Sequence, residues 1–174
     1  MLKELTMLSP FFEDPYTVYS AREVARLTNN NHITISNKLK SLPYIKRAKN
    51  GPYTGFKAVI TEEFLRLRWY YNLEKLKESG LIKALRSFYD EPAIILFGSY
   101  STATNTKDSD IDIAVISTHK KQFKPEKFEA YLNHQLQLFL YTKKDIKNLK
   151  TENPELLNSI CNGIVLNGEL EVFI

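Results

Sequence analysis

Within residues 108–115, positions 110–113 alternate acidic and apolar side chains with the two-residue period of a β-strand. This alternation predicts that Asp110 and Asp112 lie on one face of the strand, while Ile111 and Ile113 lie on the other face and enter a core. Two carboxylates this close repel each other unless a cation lies between them. Hard oxygen ligands of this kind favour magnesium, which also binds nucleotide phosphates.

A second motif lies upstream, where the apolar run from Ala93 to Phe97 leads directly into Gly98 and Ser99. The run predicts a buried strand. A glycine at its end lets the backbone approach a phosphate closely, and backbone amides together with the Ser99 hydroxyl can bind that phosphate. Either motif alone is common in ordinary loops and strand edges. The two together, between apolar strands, indicate phosphoryl or nucleotidyl transfer.

The spacing of these motifs, with residues 100–109 between Ser99 and Asp110, resembles the signature of the polymerase-beta-like nucleotidyltransferase superfamily. Residues 91–174 look like the minimal nucleotidyltransferases of archaea and bacteria, and the chain is similar to members that carry an N-terminal winged helix. The resemblance implies a mechanism with two Mg²⁺ ions bound by Asp110 and Asp112, in which these two residues and Ser99 are catalytic.

The same resemblance implies that Gly98 and Ser99 bind the nucleoside triphosphate, with ATP as the favoured substrate. A hydroxyl of a protein or RNA acceptor then attacks the α-phosphate, and pyrophosphate leaves. Some minimal nucleotidyltransferases act as antitoxins that modify a partner toxin, so an antitoxin-like role is implied as well.

The chain departs from the family pattern at two places. The family adds a third carboxylate on the next strand, and the corresponding residue here is Gln137. Glutamine can coordinate a cation through its carbonyl oxygen but cannot act as a base, so both metal affinity and rate are expected to fall. Many relatives have a basic residue and a glycine at the positions of Thr102 and Ala103, which predicts that this chain binds phosphate more weakly.

The N-terminal part has the order of a winged helix-turn-helix. Ser20 and Glu23 form a capping box that begins a helix with Val24 and Leu27 on its apolar face. A second helix follows residues 28–31 and ends at Pro43, and a hairpin centred on Asn50-Gly51 comes next. The apolar residues Ile33, Ile35, Leu39 and Leu42 are predicted on the inward side of the second helix.

This part of the chain is also strongly basic. Residues 16–60 hold eight Lys and Arg against one acidic residue, which gives +7, whereas the whole chain carries only +4. A polyanion is the expected partner, and we expect DNA. The candidate nucleic-acid contacts are Thr34, Asn37, Lys38 and Ser41 on the second helix and Lys46, Arg47 and Lys49 on the hairpin. The alternative is a protein-binding winged helix whose surface is incidentally basic.

The rest of the pattern predicts a chain of the α+β class. An N-terminal winged helix-turn-helix at residues 1–60 is followed by a helical connector at 61–90, interrupted at Ser79-Gly80. A C-terminal nucleotidyltransferase fold, a mixed sheet flanked by helices, fills residues 91–174. Its strands are predicted at 93–97, 111–116 and 135–140. Its helices are predicted to begin at Pro125, Thr142 and Asn153-Pro154.

Composition excludes several classes. The single cysteine, Cys161, rules out an internal disulfide and any multi-cysteine zinc site. No apolar run approaches the length of a membrane span, and no secretory signal is evident at the start, so we expect a cytoplasmic protein without membrane contact. A homodimer is plausible, because winged helices often pair on two half-sites.

Two alternatives to an active transferase remain. The first is a DNA-binding transcriptional regulator whose nucleotidyltransferase domain is inactive or senses nucleotides, and Gln137 favours it. The second is a structural adaptor with two modules, which leaves the coincidence of the two motifs unexplained.

Overall fold

The structure is a computed structural model that describes residues 3–171. The chain divides into two compact units, Met1–Tyr71 and Asn72–Ile174. The division falls inside the segment predicted as a helical connector. Among the described residues, no helix combines the length and the hydrophobicity that a membrane span requires.

The described part of the first unit contains three helices, a two-stranded hairpin and the start of a long fourth helix. In chain order these are α1 (Lys3–Glu13), α2 (Ala21–Leu27), α3 (His32–Ser41), β1 (Ile45–Asn50), β2 (Tyr53–Ala58) and α4 (Glu62–Ser79). The residues of α4 from Asn72 onward belong to the second unit. The core of the first unit packs α1 against α2, α3 and the hairpin, with Phe11, Phe12, Ile35, Leu39 and Phe64 fully buried.

Local signals determine where α2 and α3 begin and end. The capping box predicted at Ser20 and Glu23 is present, with both reciprocal hydrogen bonds. Asn31 caps α3, and Leu42 takes the extended conformation that the following proline requires.

The apolar faces of these two helices are narrower than predicted. Ile33 is 59% exposed and Leu27 is 57% exposed, so both were wrongly placed in the core. Ile33 lies two residues, about 200° of helix rotation, before Ile35, which puts it on the opposite side of α3. Leu27 is the last residue of α2.

The hairpin forms an antiparallel pair in which Asn50 faces Tyr53. Its two-residue turn is therefore Gly51-Pro52, one residue later than the predicted Asn50-Gly51 centre. An isolated bridge adds Tyr19 to the other edge of β2, through paired backbone hydrogen bonds of 2.8 and 2.9 Å with Phe56.

The second unit is a sheet with helices packed on it. Its elements after α4 are α5 (Leu81–Tyr89), β3 (Ala93–Phe97), α6 (Gly98–Ser101), β4 (Ile111–Ile116), α7 (Glu126–Leu132), β5 (Leu136–Tyr141), α8 (Lys143–Glu152), α9 (Pro154–Cys161) and β6 (Ile164–Asn167). Within the described residues the sheet has the order β5-β4-β3-β6 and is mixed, because β4 and β5 are parallel while the other pairs are antiparallel. This mixed α+β architecture confirms the predicted class.

Most predicted boundaries in this unit are confirmed. β3 and β4 have the predicted bounds, and β5 lies one residue later than the predicted 135–140. Thr142 begins α8 through a second capping box with Asp145, and Asn153 caps α9 ahead of Pro154. Pro125 is the N-cap of α7.

Alternating side chains of the sheet enter two separate cores. Ile111, Ile113 and Val115 pack with α5 and α7 on one side. Ala114, on the other side of β4, packs with Ile95 and the apolar residues of α8 and α9. Both sides of β3 and β4 are thus covered, which fixes these two interior strands in place.

Candidate active site

The candidate active site lies where β3 ends and where β4 and β5 begin. Phe97 pairs with Asp112 in the antiparallel register, and Asp112 pairs with Gln137 in the parallel register. Gly98 directly follows β3 and Asp110 directly precedes β4. The two predicted motifs, Gly98-Ser99 and Asp110-x-Asp112, are therefore brought together at the end of the sheet where β3 stops and β4 starts.

The two carboxylates are close enough to perturb each other. Burial, and then the negative charge of Asp110, raises the pKa of Asp112 above its ordinary value. Asp112 accepts no hydrogen bond from any residue that the structure describes, and neither aspartate forms an ion pair within residues 3–171. A partly buried carboxylate without a donor or a counter-charge is a strong attractor for a cation.

Gly98 is required by the position of Asp112. Its φ is +69°, and a Cβ at this position would overlap Oδ2 of Asp112. Any other residue would meet both a left-handed backbone conformation and this overlap. The close approach packs the backbone that leads into Ser99 directly against the carboxylate, as expected for a loop that brings phosphate and cation together.

Gln137 lies at the position where the resemblance implies a third carboxylate. Its side-chain amide nitrogen donates a hydrogen bond to Oδ2 of Asp110. The glutamine thus provides Asp110 with a neutral donor where a glutamate or aspartate would add a third negative charge.

The loop after Ser99 is held by a buried amide. Asn72, on α4, donates hydrogen bonds of 3.0 Å to the backbone oxygen of Tyr100 and to Oδ1 of Asn105. Ala103, in the same loop, has φ +58° and no exposed surface. An alanine here therefore adopts the left-handed conformation that glycine would adopt more readily.

Hydroxyl groups surround the same turn. Ser101 donates to the Gly98 carbonyl at 2.8 Å, and Thr102 donates to the Ser99 carbonyl at 3.2 Å. The hydroxyl of Ser99 itself makes no hydrogen bond to the described residues, which leaves it available for a ligand. At Thr102 the loop presents a hydroxyl where the resemblance implies a basic residue.

The donor set fits a magnesium ion that is shared with a bound triphosphate. No group of three or more His, Cys, Asp and Glu side chains among the described residues could hold a metal by itself. Two carboxylates are nevertheless the number that Mg²⁺ commonly takes from a protein when substrate phosphates and water complete its coordination. The amide oxygen of Gln137 would be a further hard ligand for the cation if the side chain rotated to exchange its nitrogen and oxygen.

A cavity of about 580 Å³ opens at the opposite ends of the strands, next to Ala93, Ile116 and Thr142. None of the residues predicted for the active site lines it. The candidate site therefore lies outside this cavity.

The predicted nucleic-acid contacts lie on the first unit. Thr34, Asn37 and Ser41 are exposed on one face of α3, and Lys38 on the same face is partly buried. On the hairpin, Lys46, Arg47 and Lys49 are all exposed. Strand alternation places Arg47 and Lys49 on one face of β1 and Lys46 on the other.

Two residues of this region were not predicted. Lys40 lines a groove of about 480 Å³ together with Lys46 and Arg47. Tyr53, an aromatic residue of the hairpin, is 77% exposed beside the turn. The neighbouring aromatics Tyr44 and Phe56 are buried.

Comparison with known proteins gives one family. A family model described as "Polymerase beta, Nucleotidyltransferase" matches residues 80–170, and a search of curated proteins finds no match. The matched range contains both motifs and Gln137, and it covers more than half of the chain. The chain therefore belongs to the polymerase beta nucleotidyltransferase family, and it contains that family's nucleotidyltransferase domain.

Proposed function

We propose that this protein transfers a nucleoside monophosphate from a Mg²⁺-bound nucleoside triphosphate, with ATP as the favoured substrate, to a hydroxyl of a protein or RNA acceptor. The observation that carries the proposal is the contact of Gly98 with the carboxylate of Asp112 at the end of β3. It brings a loop suited to phosphate and a pair of carboxylates suited to a cation into direct contact.

The residues have distinct roles in this proposal. The backbone after Gly98 and the hydroxyl of Ser99 would bind the triphosphate, and Asp110 and Asp112 would hold the cation. Bound Mg²⁺ supplies neutralisation of the charge that develops on the phosphoryl oxygens.

The transfer itself exchanges one bond for another. The acceptor oxygen forms a bond to the α-phosphorus, the bond from that phosphorus to the bridging oxygen breaks, and pyrophosphate leaves. The hydroxyl proton passes to water or to a carboxylate of the aspartate pair, because an amide such as that of Gln137 cannot accept it.

We further propose that the first unit is a winged helix that binds DNA. Support comes from the order α2, α3 and hairpin, from the exposed polar face of α3, and from the basic groove at Lys40, Lys46 and Arg47. DNA binding would place the transferase beside its target or repress its own transcription, as in an antitoxin-like role.

The test uses the full chain with each α-labelled nucleoside triphosphate, Mg²⁺ and cell lysate as the source of acceptors. Wild type is compared with Asp110→Asn/Asp112→Asn and with the control Asp108→Asn, an exposed carboxylate outside the pair. We expect label on a protein or RNA only with wild type and the control. Equal labelling by the double variant would reject the proposed site.

A second candidate function is a DNA-binding regulator that senses nucleotides without transferring them. The hydrogen bond from Gln137 to Asp110 favours it, because it satisfies one carboxylate without adding a base. This candidate requires Mg²⁺-dependent nucleotide binding and a change in DNA affinity when nucleotide binds, with no label transferred under any condition. Transfer that disappears in the double variant decides in favour of the transferase.

A further inference from the structure

His134 contacts both chain segments that carry the active site. It is buried between α7 and β5, and its Nδ1 atom lies 2.7 Å from the backbone oxygen of Ser109. Its ring meets the ring of Tyr100 edge-on, with centroids 5.5 Å apart and an interplanar angle of 74°. Ser109 directly precedes Asp110, and Tyr100 directly follows Ser99.

The hydrogen bond has a defined direction. A backbone carbonyl oxygen can only accept, so Nδ1 of His134 carries the proton and donates it. His134 is buried and Ser109 is partly buried, so this hydrogen bond is partly shielded from competing water, and losing it removes a donor from the Ser109 carbonyl. The contact therefore restrains the backbone one residue before a site carboxylate.

The edge-on ring contact acts on the other segment. Tyr100 is itself buried, and it belongs to α6, the short helix that begins at Gly98. A single imidazole thus connects the turn that carries Ser99 to the residue before Asp110. The backbone pairing of β3 with β4 does not make this connection, and neither do the hydrogen bonds from Asn72 to Tyr100 and Asn105.

We propose that His134 is a positioning residue, which sets the location of the Asp110 carboxylate relative to the Gly98-Ser99 turn. The effect on nucleotidyl transfer rests on the proposed function, whereas the effect on the position of Asp110 does not. Misplacement of an active-site group by about 1 Å can lower the rate of an enzyme by about 100-fold. We expect variants that lose the hydrogen bond to lower kcat by about 10- to 100-fold.

Three substitutions separate the two contacts of the imidazole. His134→Phe keeps a ring against Tyr100 but has no donor for Ser109. His134→Asn places an amide donor near the position of Nδ1 without the ring. His134→Gln is of similar size and polarity, but its amide extends past the position of Nδ1. The Asn variant is thus the conservative rescue, and the Gln variant is its matched control.

The readout of position is the side-chain amide of Gln137, which reports its hydrogen bond to Asp110. In ¹⁵N-labelled full-length protein without nucleotide or cation, we expect the two amide proton resonances of Gln137 to shift in His134→Phe and in His134→Gln. They should stay close to the wild-type positions in His134→Asn. Thermal melts establish that each variant is folded at the temperature of the spectra.

Kinetics provide the second readout. His134→Phe should lose kcat while the KM for the triphosphate changes less than about threefold, because its ring keeps the contact with Tyr100 and leaves the Gly98-Ser99 turn intact. Gln137 resonances that are unchanged in folded His134→Phe and His134→Gln would overturn the proposal, and so would equal shifts in His134→Asn and His134→Gln. If wild type transfers no nucleotide, the proposed function fails while the spectra still decide the role of His134. If His134→Phe does not fold, the comparison of the Asn and Gln variants decides it.

Discussion

The side-chain amide of Gln137 donates a hydrogen bond to the carboxylate of Asp110 across the parallel pair β4 and β5. Asp112, the direct register partner of Gln137, receives no donor from the described residues. The two aspartates therefore have different surroundings, since one is satisfied by a neutral amide and the other is partly buried beside a negative charge.

Gln137→Glu should convert the site into one with three carboxylates. In EDTA we expect a lower Tm than in wild type, because the donor to Asp110 is replaced by a like charge. With divalent cation we expect affinity to rise by about tenfold or more, since cation affinity increases with the number of ligand charges. Titration with Mn²⁺ monitored by electron paramagnetic resonance measures this.

The control is Gln122→Glu, which adds the same charge at an exposed loop position. An equal gain in Mn²⁺ affinity in both variants would mean that overall charge, and not position 137, controls binding.

Gly98→Ala should reduce both stability and nucleotide binding, because a Cβ at position 98 overlaps Asp112. Gly80→Ala is the matched control, since Gly80 has a similar φ of +75° but no atom within 4 Å of the added Cβ. We expect a loss in the free energy of unfolding of about 1 kcal/mol for the control and about 2–4 kcal/mol for Gly98→Ala. Urea unfolding measures both losses, and only Gly98→Ala should abolish nucleotide binding.

Asp112→Asn should stabilise the protein in the absence of cations. The pKa of Asp112 is raised in the folded state, so its contribution to stability is fully present below the unfolded pKa and is lost as pH rises through the folded pKa. Asparagine has nearly the same shape as protonated aspartate and stays uncharged at every pH. We expect the Tm of the variant in EDTA to exceed that of wild type by about 1–3 °C at pH 7.

That difference should disappear below about pH 3, where Asp112 of wild type is protonated in both the folded and the unfolded state. Thermal melts between pH 3 and pH 8, with the exposed Asp108→Asn as reference, test the sign. A difference that grew on acidification would contradict the assignment of a raised pKa. Saturating Mg²⁺ should reverse the order at pH 7, because only wild type gains from the bound cation.

Lys46→Ala and Arg47→Ala should each weaken DNA binding and reduce its dependence on salt. Each phosphate contact that is lost lowers the slope of log K against log salt concentration by about 0.9. Fluorescence anisotropy with a duplex of mixed sequence measures this slope. The control is Lys83→Ala, an exposed lysine of α5 in the second unit. A slope that falls equally in the control would remove the hairpin from the DNA interface.

The parts of the fold that depend on local sequence were predictable. The apolar run before Gly98 determined the bounds of β3, and the alternation after Asp110 determined those of β4. The capping box at Ser20 determined the start of α2. These signals act within a few residues, so the printed sequence contains them in full.

The errors have physical reasons. Ile33 was assigned to the core from its residue type, although its helical rotation relative to Ile35 opposes this. Strand β6 has four residues, too few for a periodic signal, and α1 was not predicted.

The supporting contacts of the site could not be predicted because they join distant residues. Asn72 reaches Tyr100 across 28 positions, and His134 reaches Ser109 across 25. Neither pair shares a motif, and only the packing of α4, α7 and the sheet brings them together.

The order of the sheet has a consequence for how this site can evolve. Asp112 is on the interior strand β4, whereas Gln137 is exposed on the edge strand β5. A substitution at position 137 therefore disturbs little of the core, whereas a substitution of Gly98 displaces the Asp112 side chain. Glutamine and glutamate codons differ by a single nucleotide, so one point mutation at this tolerant position is enough for a lineage to move between a site with two carboxylates and one with three.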